Sequence, residues 1–226
     1  MKRTLIIAAT AVFAATTVLS AQTQKELAKE RKEISKLAKS ELNDKVTKAA
    51  KKEAKKLAKA GWTISPGALP IEKQLEKSYE MQYQYDADNF PKYLMGEAST
   101  IGSNYDAAKM QALELAKQNL AGQIQTEVAA LIENRIANEQ SLSAGQAESL
   151  TRSVSAGKNM IMQSLGRVIT VMELYRTDKK TQNKEVLMRI AYNAEMAKAA
   201  AKKAIRENLE ERGDKLAKDL DKVLGF

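Results

Sequence analysis

Few residues in this chain have the type and spacing to do chemistry. Ser155 and Lys158, in "SAGK", have a Ser-x-x-Lys spacing that would set an amine one helical turn from a hydroxyl, the arrangement of a Ser/Lys hydrolase. Such an enzyme also needs a Ser-x-Asn and a Lys-Thr-Gly. The chain has no such Ser-x-Asn, and it offers Lys180, Thr181 and Gln182 in place of the second. With no histidine, the usual neutral-pH base is absent as well. Gly157 and Lys158 do not make a phosphate loop, because Arg152 stands where its first glycine would be.

Metal chemistry fares no better. Without cysteine or histidine, only carboxylates and carbonyls are left, which suit Ca²⁺ or Mg²⁺ rather than Zn²⁺. Asp86 and Asp88 in "DADNF" alternate, but the loop glycine and distal glutamate of a calcium site are missing, and the segment reads as a turn. Glu210 and Glu211 read as solvated surface. No catalytic residue, cofactor or metal is assigned, and the chain is expected not to be an enzyme.

Charge is more informative. Lys2 and Arg3 carry two of the net +9. Residues 23–60 hold twelve Lys and one Arg against five Glu and one Asp, a net +7, and residues 61–226 balance to zero. The basicity is densest at Lys48, Lys51, Lys52, Lys55, Lys56 and Lys59, the candidate contacts for an anionic surface. Between the charges, Leu27, Ile34, Ala38, Leu42, Val46, Ala49, Ala54 and Leu57 recur at near-helical spacing, giving a thin apolar stripe that could lie on a domain. Gly61 fits the residue just after the helix end, with Trp62 folded back on the last turn.

Four of the seven tyrosines fall in "SYEMQYQYDADNFPKY". A stacking platform for nucleic acid needs interleaved cations, yet this stretch has only Lys92 against Glu80, Asp86 and Asp88. Tyr79 and Tyr83 continue the every-fourth-residue series of Ile71 and Leu75, so Tyr79, Tyr83 and Tyr93 are expected to be core or half-buried. Nucleic acid is not an expected partner.

The first residues, "MKRTLIIAATAVFAATTVLSAQ", have a charged start, an apolar run and small residues at Ser20 and Ala21, the pattern of a secretory signal peptide cleaved after Ala21. An uncleaved anchor is the competing reading, since Lys25, Lys29, Arg31 and Lys32 follow the run. That run is short for a spanning helix and is diluted by Thr10, Thr16 and Thr17. Export is the expectation, with no transmembrane helix after cleavage. No lipid anchor is expected either, because no cysteine stands at the cleavage point.

These residues need elements to position them. "TISPGALP" reads as a linker, and Pro70 opens a short helix to about Gln84. "KYLMGEASTI" reads as a strand. A capping box of Ser103 and Asp106 opens a long helix with Leu113, Ala116, Leu120, Ile124, Val128 and Leu131 on one stripe. A second box, Ser143 with Gln146, opens a helix carrying Leu150, Val154, Ile161 and Leu165 and stopped at Gly166. "RVITVMELYRT" and "KEVLMRIAYN" make a hairpin. A tail helix from about Ala194 carries Ile205, Leu209, Leu216, Leu220 and Val223, with Gly213 as a bend. The expected fold is α+β: an antiparallel sheet of about three strands packed by long helices, in the order (α)-α-β-α-α-β-β-α. The expected divisions are a signal peptide at 1–21, a basic amphipathic helical arm at 22–60 and an α+β domain at 61–226.

The segment "YLMGEASTIGSNYDAAKMQALELAKQNLAGQI", with Gly96-Glu97-Ala98 in the strand and Ala-x-x-x-Ala in the helix, resembles the small outer-membrane lipoprotein family of the Lpp-twenty type. The hairpin is similar too, so the resemblance runs from Tyr93 to about Glu210. With "GALPIEKQLEKSY" and "MGEA", the chain also resembles uncharacterised exported proteins of Gram-negative bacteria. The resemblance implies a small periplasmic envelope protein of binding or structural type, associated with the outer membrane, and it brings no catalytic residues.

The leading expectation is therefore a non-enzymatic exported envelope protein acting as a structural or adaptor module. The first alternative is binding of an anionic surface component, such as lipid head groups, lipopolysaccharide or acidic polysaccharide, through the basic arm. A Ser/Lys hydrolase is the second alternative.

Overall fold

A computed structural model describes residues 46–87, 90–138, 143–218 and 220–221, with a few helical residues between 29 and 36. The expected signal peptide and the stripe positions Leu27, Ala38, Leu42 and Val223 lie outside the described residues. The fold is α+β. Three strands, β1 (Tyr93–Gly102), β2 (Ile169–Thr177) and β3 (Lys184–Asn193), form one antiparallel sheet in the order β1-β3-β2. Tyr93 pairs with Asn193 and Gly102 with Lys184, while Thr177 pairs with Lys184 across the hairpin.

The alternation of the strands sorts their side chains onto two covered faces. Leu94 and Ala98 of β1 and Val186, Met188, Ile190 and Tyr192 of β3 look into the larger core. There they meet α3 (Tyr105–Asn138), α4 (Ala144–Ala156), α5 (Lys158–Ser164) and α6 (Ala194–Glu211). The other face is covered by α1 (Val46–Lys59) and α2 (Ile71–Gln82). The register of β2 slips between Thr170 and Met172, adding one residue to that strand. As a result Val171 and Met172, neighbours in sequence, are both buried on the α1 and α2 side.

Helix α3 lies unusually close to β1 because the facing residues are small. Ala108, Ala112 and Ala116 are fully buried along it. A Cβ on Gly96 would collide with the Ala116 carbonyl oxygen, and one on Gly102 would stand 2.7 Å from the Ala108 amide. These are backbone atoms of a helix and have little room to yield.

Several local expectations are corrected. The α3 cap is Asn104, whose Oδ1 accepts from the Ala107 amide at 2.9 Å; Ser103 does not fill that place. The buried stripe of α3 includes Ile132, while Leu131 is exposed and Leu113 half-buried. The Ser143 and Gln146 capping box is present, but its helix breaks at Gly157 and resumes as α5. Gly213, with φ +68°, ends α6 rather than bending it: its amide and that of Asp214 turn back to the Glu210 and Leu209 carbonyls. In the arm, Ile34 and Ala49 are exposed, and the buried residues of α1 are Val46, an expected stripe position, and Ala50.

Candidate functional site

The candidate contacts Lys48, Lys51, Lys52, Lys55, Lys56 and Lys59 all lie in α1, and all six are exposed. At about 100° per residue they span an arc of roughly 140° and a length of about 16 Å. Val46, Ala50, Ala54 and Leu57 occupy the opposite side. Ala50 is completely buried with Leu75, Met172 and Leu174, and Ala54, Leu57, Trp62 and Tyr79 surround them. The lysines therefore face away from this cluster because the other half of the helix packs on α2 and into it.

Three further features hold α1 in place. Its last turn closes on Gly61, at φ +85°, with the Gly61 amide bonded to the Ala58 carbonyl and the Trp62 amide to the Leu57 carbonyl. This is the turn expected from Gly61 and Trp62, and it brings the indole to the same buried cluster that Leu57 packs against. The segment expected as a linker continues into a bridge, with Thr63 and Tyr175 exchanging backbone hydrogen bonds of 2.8 and 2.9 Å at the outer edge of β2. Finally, the Tyr79 hydroxyl of α2 donates to Glu53. Burial, then the Glu53 carboxylate, raise the Tyr79 pKa above its ordinary value.

Glu53 is the sole acidic residue of α1, and its bond to Tyr79 draws it away from the lysine face. Among the described residues, no carboxylate lies within ion-pairing distance of Lys48, Lys52, Lys55, Lys56 or Lys59; Lys51 stands 3.8 Å from Glu72. The result is a face of one sign on a helix whose position is set. Lys56 and Lys59 also sit in the last turn, where the helix dipole favours cations.

Comparison with protein-family models, curated proteins and solved structures returned no match.

The other residues singled out in the sequence are not brought together. Ser155 donates to the Thr151 carbonyl at 2.9 Å, within its own helix, and Lys158 lies beyond the break at Gly157. Lys180, Thr181 and Gln182 form the turn of the hairpin. Asp86 accepts from the Phe90 amide at 2.8 Å, and Glu210 and Glu211 are exposed at the end of α6. Among the described residues no group of three acidic side chains could hold a metal, and no helix is long and apolar enough to cross a membrane. Tyr79, Tyr83, Tyr85 and Tyr93 are all half-buried; Tyr79 and Tyr93 touch the small clusters between α2 and the sheet.

Two polar clusters had no signal in the sequence. Glu173 accepts from the Tyr105 hydroxyl and from Lys109 at 3.0 Å, while its amide donates to Gln74 at 2.7 Å. The bond that Lys109 donates to the Glu173 carboxylate raises the Lys109 pKa. Arg176 lies 4.6 Å from the centre of the Trp62 ring and donates to the Ala60 carbonyl and to Glu185. Both clusters join residues distant in sequence, which leaves no local spacing to notice.

Proposed function

We propose that this protein is a non-enzymatic exported module of the cell envelope, an adaptor that holds an anionic surface component through the lysine face of α1. One observation carries the reading: all six lysines project from one side of a helix whose opposite side packs on α2 and into the cluster of Leu75, Met172 and Leu174. A solvated face that only keeps a helix soluble is commonly laced with alternating charge. Here the one carboxylate of α1 is turned to Tyr79. The leader-like start and the resemblance to small envelope lipoproteins support an envelope location, where phosphate-rich and acidic surfaces are abundant.

The test is vesicle binding by the chain beginning at Gln22. Each lysine near an anionic surface contributes about 1 kcal/mol, so neutralising Lys48, Lys52 and Lys55 to Gln should weaken binding about a hundredfold. Wild-type binding should also fall steeply with added salt. The variant's denaturation midpoint should stay at the wild-type value, since these side chains are exposed. Equal binding by wild type and variant would refute the reading.

A further inference from the structure

An open groove of about 1010 Å³ lies between the end of α1 and the β2–β3 hairpin. Its walls are Ala60, Gly61 and Thr63 on one side and the strand ends and turn from Tyr175 to Glu185 on the other. Four cations line it, Arg176, Lys179, Lys180 and Lys184, against two carboxylates, Asp178 and Glu185.

Both carboxylates are already engaged. Asp178 accepts at one oxygen from the Lys180 and Thr181 amides, each at 2.8 Å, and from the Thr181 hydroxyl at 3.1 Å. Those bonds hold its pKa below the ordinary aspartate value, so it serves to shape the turn as an anion. Glu185 accepts from Arg176 Nε at 2.6 Å and from the Ser99 hydroxyl at 3.1 Å. Lys184 bonds the Thr177 hydroxyl at 2.7 Å, and Lys179 and Lys180 are exposed, with no carboxylate among the described residues in ion-pairing distance.

Arg176 is the fixed member of this set. Its guanidinium is held over Trp62, and it donates from Nε to Glu185 and from one terminal nitrogen to the Ala60 carbonyl at 3.2 Å. A guanidinium has five N–H donors, so three are left in a plane that does not have to be ordered on binding. A planar fork with flexible ammonium groups around it suits a phosphate. The groove's surplus of two positive charges matches a phosphate monoester, which carries close to two negative charges at neutral pH.

We propose that this groove is a binding subsite for a phosphate monoester, with Arg176 as its anchor and Lys179, Lys180 and Lys184 as surrounding cations. It adjoins the last turn of the lysine helix. It extends the surface-binding reading by naming the group recognised, and it rests on that reading only for where such a group is met. The monoester belongs either to a lipid head group or to a soluble molecule.

Trp62 is the chain's single tryptophan, so its fluorescence reports on the groove. The full chain is titrated with glycerol phosphate at constant ionic strength, with chloride as the control. The expected result is a saturable change that chloride does not give. Arg176→Lys keeps the charge but loses the fork, and should weaken the response about tenfold, as should Lys179→Ala with Lys180→Ala. Neutralising Lys48, Lys52 and Lys55 should leave it unchanged. Stronger binding to phosphatidic acid vesicles than to phosphatidylglycerol vesicles of equal charge would assign the monoester to a lipid; equal binding beside a saturable glycerol phosphate response would assign it to a soluble molecule. A non-saturating response, one untouched by the Arg176 and hairpin variants, or one abolished by the helix variant overturns the groove proposal. If the Trp62 titration saturates while no anionic vesicle binds, the subsite stands and the surface reading falls.

Discussion

Tyr79 decides how two of the molecule's parts meet. Its ring packs against the cluster of Ala50, Leu75, Met172 and Leu174, and its hydroxyl donates to Glu53, the one acidic side chain of α1. Without that donor, the half-buried carboxylate would lose a bond it makes away from bulk water. A hydrogen bond to a charged group contributes about 1.5–3 kcal/mol when buried, and the lower end applies at a half-buried site. Tyr79→Phe should therefore lower stability by about 1–2 kcal/mol while keeping the ring in place. Urea denaturation of variant and wild type measures it, and equal midpoints would show that the bond contributes nothing. A titration effect follows as well. Because the folded-state pKa of Tyr79 is raised, its contribution is fully present below pH 10 and is lost as pH rises above that value. The sequence placed Tyr79 correctly as core or half-buried from its spacing with Ile71 and Leu75. It could not show Glu53 as the partner, because the two residues lie on different helices.

At the scale of elements, α1 is the piece whose role turns on its packing. Residues 22–60 read as an arm because they carry a net charge of +7 and a Pro- and Gly-bearing segment follows. Packing adds what charge could not show. Leu75 and Leu174 have no exposed surface and Met172 is 1% exposed, and Ala50 of α1 completes their buried cluster. Re-exposing three such side chains costs at most about 4–9 kcal/mol, at ~1.5–3 each. A domain of this size is stable by only about 5–15 kcal/mol. Deleting residues 22–60 should therefore leave a protein with a much lower urea midpoint and increased binding of an apolar dye. A truncated chain as stable as the full one would show that α1 is an appendage.

The strands, the long helix and the Ser143 capping box were legible because each is set by local period or capping chemistry. The α3 cap was misplaced by one residue because Ser103 and Asn104 are both good caps, and the choice between them depends on where the strand ends. The break of the helix at Gly157 has a similar origin: the apolar stripe runs through Gly157 unbroken, so periodicity alone cannot show that α4 and α5 separate there. The Arg176 groove was invisible for a different reason. It joins the turn after α1 to a strand 116 residues later, and nothing in a linear pattern links them.

For the whole molecule, the sheet separates two kinds of duty. One face builds the large core with α3 and α6, and the other carries α1, which turns its lysines outward. Residues 61–226 are electrically balanced, so the field of the molecule is concentrated on the lysine segment, which on the proposed reading is the side that meets an anionic surface. The absence of cysteine makes that orientation measurable, because a single introduced thiol can be labelled without background. A fluorophore at Lys55→Cys sits mid-face on α1 and leaves five lysines; one at Gln163→Cys, exposed on α5, serves as the reference. Adding anionic vesicles to the chain beginning at Gln22 should shield the Lys55→Cys label from an aqueous quencher, with high salt reversing the effect, and leave the Gln163→Cys label accessible. No shielding at Lys55→Cys, or equal shielding at both sites, would contradict the claim that the lysine face of α1 is the surface this protein binds with.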